Sequence, residues 1–169
     1  MTTKKHGFTL IELIVVMAIL AILMAIGAGA FMSSMKKGRD STRKANLRAI
    51  TGAMELYYND KGKYPVGVNG AIRGCGTDTV RTDCVAGGAF QDETPSPPTV
   101  YMQRLPTDPV DTQQYYYVSA TGAQYQIYAH LENNQDPQCL LGDCTPASGV
   151  NCGTGILCNY GVSSANTSP

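Results

Sequence analysis

An unbroken run of fourteen apolar residues, Leu13–Ile26, constrains this chain of 169 residues more than any other feature. Continued through Met32, the run reaches twenty residues and is interrupted only by Gly27 and Gly29. At about 1.5 Å of helix rise per residue, twenty residues span about 30 Å, the thickness of a bilayer's hydrocarbon core. A helix in a protein core seldom stays apolar on every face for so long, so the sequence predicts a transmembrane segment over residues 8–32.

A removable secretory signal is the alternative interpretation of this segment. Lys4 and Lys5 do supply a short basic region ahead of the apolar run. An ordinary signal peptide, however, has an apolar core of about 7–15 residues followed by a cleavage site of small residues. The run here is longer, and residues 35–39 are not such a site, although residues 28–30 resemble one. These observations favour a retained anchor.

Glu12 is an acidic residue at the edge of the apolar run, four residues after Phe8. An unpaired carboxylate in lipid costs on the order of a few kcal/mol, so an acid at this position indicates a functional role and a partner. Gly7, which has no side chain, directly precedes Phe8. Cleavage between Gly7 and Phe8 would leave an α-amine on Phe8, close to Glu12 along a helix.

The segment Lys4–Leu13, with the sequence KKHGFTLIEL, resembles the N-terminal signature of the type IV pilin and pseudopilin superfamily. The resemblance implies that residues 1–7 are a leader, cut after Gly7 by a membrane-embedded prepilin peptidase. It also implies that the same enzyme N-methylates Phe8, and that Glu12 is the glutamate through which subunits assemble. The motif covers about ten residues.

Three further segments resemble the major pseudopilins of the secretion protein G type: residues 37–47, 55–65 and 105–109. Residues 66–104 and 133–169 do not fit that pattern, and they contain all the cysteines. The resemblance implies an α+β, pilin-like fold. In such a fold a long N-terminal helix, transmembrane in its first half, packs on a small antiparallel β-sheet with disulfide-stapled loops.

The hydrophobic pattern agrees with that fold. A helix is predicted from Thr9 to Asn59, and its polar half carries an apolar stripe at helical spacing, formed by Leu47, Ile50, Met54 and Tyr57. Strands are predicted at Tyr115–Ser119 and Gln124–Ala129. The expected organisation is a leader (1–7), a membrane half-helix (8–32), an amphipathic half-helix (33–62), a β-rich head (63–162) and a flexible tail (163–169).

Six cysteines lie outside the apolar segment: Cys75, Cys84, Cys139, Cys144, Cys152 and Cys158. An even number in a small extracytoplasmic head predicts disulfide bonds and an oxidising compartment. Local closure favours a Cys75–Cys84 pair, with the other four cysteines paired among themselves. A zinc site is the alternative, but no two cysteines have the Cys-x-x-Cys spacing typical of one.

The distribution of charge and the cysteines predict opposite membrane topologies. The leader has two basic residues, whereas six follow the apolar run between Lys36 and Arg48. By the positive-inside rule alone the head would be cytoplasmic. The cysteines and the family resemblance indicate the reverse, and together they predict a single-pass inner-membrane protein with its N-terminus inside and its head outside.

The sequence does not favour an enzyme or a cofactor-binding protein. No nucleophile motif, paired-carboxylate signature or phosphate-binding glycine loop is present, and a chain without its leader keeps one histidine, His130. With 13 basic and 13 acidic residues, no net charge points to nucleic acid. No cofactor is expected. The resemblance makes a calcium ion in a C-terminal loop one alternative, with Asp108, Asp111, Asp136 and Asp143 as candidate ligands. The acidic loop of the secretion pseudopilins is not recognisable here, so turn-forming and solvated roles are favoured for these aspartates.

Three functions remain open at this point. The first is a structural subunit of a type IV pilus-like filament, and the second is a pseudopilin of a type II secretion system. The third is a membrane-anchored extracellular binding module. The family resemblance implies membrane lipid as the environment before assembly, and a prepilin peptidase, an inner-membrane assembly platform with its ATPase and identical subunits as partners. The filament would end at the cell surface or in the periplasm.

Overall fold

The computed structural model describes residues 7–169, without the side chains of residues 26–28 and 30. The predicted leader therefore lies outside the described residues, apart from Gly7. The chain divides into two compact units, Met1–Gly38 and Arg39–Pro169. Helix α1 (Leu10–Lys61) supplies residues to both units, and every strand belongs to the second unit.

In the first unit, the described residues from Leu10 onward are helical. The large apolar side chains described between Phe8 and Met32 are exposed, from 47% for Leu20 to 87% for Phe8. Across the part of the chain that the structure describes, no helix has both the length and the hydropathy needed to cross a membrane.

In the second unit, α1 buries one face. The four residues of the predicted apolar stripe are at most 3% exposed: Leu47, Ile50, Met54 and Tyr57. The helix stops at Gly62, which has a φ of +69° and donates its N–H to the carbonyl oxygen of Tyr58 at 2.7 Å. Glycine adopts this left-handed conformation without the steric penalty of a Cβ, which is why it so often follows the last turn of a helix.

Eleven short strands and one 3-10 helix are described after α1. The strands are β1 (Val66–Val68), β2 (Ala71–Arg73), β3 (Cys75–Gly76), β4 (Arg81–Thr82), β5 (Phe90–Asp92), β6 (Thr99–Met102), β7 (Tyr116–Val118), β8 (Gln126–Ala129), β9 (Asn151–Gly153), β10 (Ile156–Leu157) and β11 (Tyr160–Ser163). The 3-10 helix is Leu140–Gly142. The two strands predicted from the sequence are β7 and β8.

The strands form four small sheets, ordered β1-β2, β9-β10, β11-β8-β7 and β4-β3-β5-β6. Every pairing is antiparallel except that of β3 with β5. The sequence predicted one sheet, and the division into four follows from strands of only two to four residues separated by turns and disulfide loops.

The core lies between α1 and these sheets. Tyr125, Ile127 and Ala129 share one face of the β8 segment and are at most 1% exposed, in the same apolar cluster as the helix stripe. Aromatic rings fill much of the space, with Tyr57 stacked on Phe90 at 5.5 Å between centroids. The predicted α+β class, with a long N-terminal helix packed on antiparallel sheet, is confirmed.

The C-terminal segment 163–169 has contacts that its composition did not predict. Ser163 is the last residue of β11, and its hydroxyl donates to the carbonyl oxygen of Thr167 at 2.7 Å. Asn166 donates its side-chain N–H to the carbonyl oxygen of Ala123 at 3.2 Å. The segment expected to be a flexible tail therefore has hydrogen bonds both within itself and to the head, at Ala123.

Candidate functional site

Helix α1 begins with a reciprocal hydrogen-bonded cap between Thr9 and Glu12. The backbone N–H and the hydroxyl of Thr9 each donate to Oε2 of Glu12 at 2.8 Å. The N–H of Glu12 lies 3.4 Å from the hydroxyl oxygen of Thr9, which accepts from it. This capping box satisfies two N–H groups that a helix start otherwise leaves unpaired, so it fixes the first helical residue at Leu10.

The predicted cleavage bond lies just before this cap. Gly7, Phe8 and Thr9 have no regular secondary structure, and Phe8 is 87% exposed. A Cβ placed on Gly7 would meet no described atom within 4 Å. Within the described residues the fold itself makes no demand for glycine at position 7, so a requirement for glycine would have to come from an enzyme that binds this segment.

Within residues 7–169, the two carboxylate oxygens of Glu12 differ in their contacts. Oε2 accepts both Thr9 donors, whereas Oε1 accepts no hydrogen bond from any residue between 7 and 169. The cap thus holds the carboxylate in one orientation, with Oε2 engaged by Thr9. Sequence reasoning singled out Glu12 but missed Thr9, although the spacing Thr-x-x-Glu is itself a capping signal.

Arg43 forms a buried ionic network in the second unit. Its fully buried guanidinium donates to both carboxylate oxygens of Asp108, at 2.8 and 2.9 Å. It also donates to Asp40 at 2.8 Å and to Glu132 at 2.9 Å. These carboxylates raise the pKa of Arg43 above its ordinary value even though burial acts in the opposite direction. No local pattern indicated that this arginine is in the core.

The same part of α1 also holds the loop that follows β8. Arg39 pairs with Glu132 at 2.5 Å, and the two carboxylate oxygens of Asp40 accept the N–H groups of Glu132 and Asn133 at 3.0 and 2.9 Å. Arg39 and Arg43, two of the six basic residues between Lys36 and Arg48, thus connect the helix to the head through Glu132 and Asp108, which lie far away in sequence.

A second ionic cluster lies at the C-terminal end of α1. The fully buried carboxylate of Asp92 pairs with Lys61 and, at 3.3 Å, with Arg81. Burial, the largest effect, opposes ionisation here, but the hydrogen bonds from Lys61 and Thr94 and the charge of Arg81 together outweigh it, so the pKa of Asp92 lies well below its usual range. This cluster fixes the end of the helix against β4 and β5.

All six cysteines are paired in disulfide bonds. The pairs are Cys75–Cys84, Cys139–Cys144 and Cys152–Cys158, which close loops with sequence separations of 9, 5 and 6 residues. Disulfide bonding is confirmed, and the pairing follows local closure throughout. Each bridge restricts the unfolded chain and adds about 2 kcal/mol to a head built from short strands.

The four aspartates considered as calcium ligands lie in different environments. Asp108 is bound by Arg43, Asp136 pairs with Lys44 at 2.6 Å, and Asp143 accepts the N–H of Thr145 at 2.9 Å. Asp111 is exposed. Across residues 7–169, no three His, Cys, Asp or Glu side chains come together where they could hold a metal ion.

His130 is the histidine that a processed chain would keep. Its Nδ1 lies 2.8 Å from the carbonyl oxygen of Leu157, within hydrogen-bonding distance. The ring therefore connects the end of β8 to β10, which is a structural contact.

The N-terminal part of the chain matches a known motif and is similar to known pilus proteins. Residues 2–28 match the model of the prokaryotic N-terminal methylation motif. Over 61 residues the chain is 38% identical to the type IV major pilin protein PilA of Myxococcus xanthus, and over another 61-residue match it is 41% identical to the fimbrial protein EcpC of Eikenella corrodens. Each match covers 36% of this chain, and 28% and 40% of the two relatives.

A longer similarity is to the type II secretion system core protein G of Klebsiella pneumoniae. It extends over 149 residues at 26% identity and covers 86% of this chain and 90% of that relative. No solved structure matches the chain at a significant level. The N-terminal motif and these similarities agree with the resemblance described from the sequence: the chain carries the N-terminal methylation motif and is similar to type IV pilins and to core proteins G of type II secretion systems.

Proposed function

We propose that this chain is the structural subunit of a type IV pilus-like filament, cleaved between Gly7 and Phe8 and polymerised through its N-terminal helix. The observation that carries the proposal is the N-terminal methylation motif over residues 2–28, with an exposed Gly7–Phe8 bond directly before a capped helix start. A prepilin peptidase would cut after Gly7 and methylate the new amine of Phe8.

The exposed apolar surface of the helix in the first unit drives two successive steps: insertion into the membrane and then assembly of the filament. Its side chains between Phe8 and Met32 are exposed in the isolated chain, and about 25 cal/mol is gained for each Å² of apolar surface removed from water. Membrane lipid covers this surface before assembly, and the same helices of neighbouring subunits cover it in the filament. Residues 8–32 are the anchoring segment in this proposal.

Glu12 sets the position of each new subunit. The α-amine that cleavage leaves on Phe8 is a positive charge in an apolar filament core, where an unpaired charge is strongly destabilising. Oε1 of Glu12, which has no partner among the described residues, accepts this amine from a neighbouring subunit. Pairing the two charges fixes the axial register as well as stabilising the contact.

The proposed topology places the N-terminus in the cytoplasm and the head outside. An inner-membrane assembly platform and its ATPase then extract the processed subunits into a filament that ends at the cell surface or in the periplasm. The three disulfide bonds support this orientation, because such bonds form in oxidising compartments. The role is structural, without a catalytic step.

Intact mass spectrometry of the membrane-extracted, unreduced protein tests the proposal. We expect a chain that starts at N-methylated Phe8 and lacks six hydrogens at its cysteines. A Gly7→Leu variant should remain uncut, while its fold is unchanged because position 7 has open space around it. A wild-type chain that still carries its leader, with free thiols, would contradict the proposal and favour a membrane-anchored binding module.

A pseudopilin of a type II secretion system is the second candidate function. It is favoured by the match to the Klebsiella protein, which includes the head, whereas the pilin matches cover about a third of the chain. Electron microscopy of cells that express the chain at its native level distinguishes the two. Long surface filaments support the pilus subunit. Their absence, together with a protein-secretion defect on deletion, supports the pseudopilin.

A further inference from the structure

Lys44 places a positive charge where the C-terminal loop meets the helix. Its ammonium lies 2.6 Å from Oδ2 of Asp136, and each of the two side chains is 15% exposed. The same Nζ lies 5.8 Å from the centre of the Tyr160 ring. The ammonium is therefore held between a carboxylate and the negative face of an aromatic ring, an arrangement that compensates for lost water.

Both oxygens of the Asp136 carboxylate are already engaged. Oδ2 accepts from Lys44, and Oδ1 accepts the N–H of Gln138 at 2.9 Å. The carbonyl oxygen of Asp136 accepts the N–H of Cys139 at 3.1 Å. A metal ion at this carboxylate would therefore lie beside the Lys44 ammonium, and the two cations would repel each other.

The other carboxylates near the C-terminal loop do not complete a calcium site. Calcium takes about six to eight oxygen ligands, usually with several carboxylates among them. Asp143 is engaged by Thr145, and Asp108 is taken by the Arg43 guanidinium. No group of three potential metal-ligating side chains converges in the described part of the chain. The residues present therefore do not fit the calcium ion that the family resemblance implies.

We propose that the Lys44 ammonium holds the Asp136 part of the loop 132–144 on α1, beside the Arg39 and Arg43 contacts to Glu132, in the role that a divalent ion would otherwise take. The Cys139–Cys144 disulfide closes the far end of the same loop. The head then folds and stays folded without a divalent metal. This inference concerns the head alone, so it stands or falls independently of the proposed assembly function.

The first test compares thermal unfolding of the full-length protein in detergent, followed by the near-ultraviolet circular dichroism of its tyrosines. One sample contains millimolar calcium chloride and the other contains an equal concentration of EGTA. We expect the same Tm in both, because a ligand that does not bind the native state does not stabilise it. A Tm that falls in EGTA, or rises with calcium, would overturn the proposal.

The second test removes the charge of Lys44. Lys44→Met keeps the aliphatic length without the ammonium, and Lys37→Met at an exposed position is the matched control. We expect Lys44→Met to lower the Tm by roughly 2–4 °C and to speed hydrogen exchange of the Gln138 and Cys139 amides. Exchange as slow as in Lys37→Met would show that Lys44 does not close the loop.

Asp136→Asn keeps the proposal testable if Lys44→Met does not fold. The asparagine retains an oxygen for the N–H of Gln138 but removes the charge that faces Lys44. We expect the same local increase in exchange of residues 132–144, with the amides of β7 and β8 unchanged. An unaltered exchange pattern, or an increase spread evenly over the head, would contradict the assigned role.

Discussion

The guanidinium of Arg43 and the carboxylate of Asp108, 65 residues apart in sequence, form two parallel hydrogen bonds with no exposure to solvent. Arg43 is on α1, whereas Asp108 lies in the connection between β6 and β7. A paired arrangement of this kind fixes both direction and distance, because the planar guanidinium matches the carboxylate edge to edge. It therefore sets how the connection docks on the helix.

Loss of the Arg43 charge should unfold the head more readily than loss of any exposed arginine. Arg43→Met leaves the carboxylates of Asp40 and Asp108 buried without their partner, and we expect a loss of about 3–5 kcal/mol. Arg48→Met, an exposed position on the same helix, should change stability by less than about 0.5 kcal/mol. Chemical denaturation measures both values. Equal stabilities in the two variants would contradict a central role for the network.

Acid should weaken the head through Glu132. The hydrogen bond from Arg39, against an opposing effect of burial and with help from Arg43, lowers the pKa of Glu132 from 4.5 to about 2. A carboxyl group whose pKa is lower in the folded state stabilises that state fully above its unfolded pKa. Its contribution should therefore disappear as the pH falls from about 4.5 to about 2.

Denaturation measured across this range of pH tests the contribution of Glu132. Glu132→Gln should lose stability at neutral pH and should show a smaller further loss between pH 4.5 and about 2. Glu93→Gln, at an exposed position, is the control and should follow the wild type. An identical acid dependence of Glu132→Gln and the wild type would refute the assignment.

Two glycines should respond in opposite directions to substitution by alanine. Gly70 has a φ of +84°, and a Cβ there would lie 2.5 Å from the ring of Tyr116, so Gly70→Ala should cost more than about 1 kcal/mol. Gly52 lies inside α1 with open space around it, so Gly52→Ala should stabilise by about 0.5–1 kcal/mol. The Tm of each variant gives the sign directly. A gain of stability in Gly70→Ala would show that the turn does not need glycine.

The buried disulfide should matter more than the one in the loop. Cys152 and Cys158 are fully buried beside Tyr128, whereas Cys139 and Cys144 retain some exposure. Replacing Cys152 and Cys158 together by alanine should cost about 2 kcal/mol from loop entropy, plus a contribution from lost packing. Replacing Cys139 and Cys144, which also belong to the core, should cost the entropic part and a smaller packing contribution. Denaturation under non-reducing conditions ranks the two variants, and the opposite ranking would contradict this account.

Glu12 should be dispensable for cleavage and required for assembly. Glu12→Val removes the carboxylate that we propose pairs with the amine of a neighbouring subunit, while the Gly7–Phe8 bond is unchanged. We expect mature chain in the membrane but few filaments, measured by shearing cells and comparing the two fractions. Ile11→Val, an adjacent exposed apolar position, is the control. Normal filament yield from Glu12→Val would overturn the proposed pairing.

The sequence-based predictions were confirmed for features that depend on residues close together in sequence. The helix stripe at Leu47, Ile50, Met54 and Tyr57 and the buried face of β8 both follow from side-chain periodicity, which is a property of the local backbone. The disulfide between Cys75 and Cys84 follows from short loop closure in the same way. The Thr9–Glu12 cap is equally local, and its spacing alone would have predicted it.

By itself, the sequence determined the long N-terminal helix, two strands of the head (β7 and β8), the number of cysteines available for pairing and the motif that connects Gly7, Phe8 and Glu12. Only the tertiary structure decided that Arg43 is buried, that Lys44 meets Asp136, and that the C-terminal segment folds back on the head. Helices and strands follow from periodic contacts among near neighbours. Ion pairs between residues 65 or 92 positions apart depend on how the whole chain packs, and no local pattern encodes that distance.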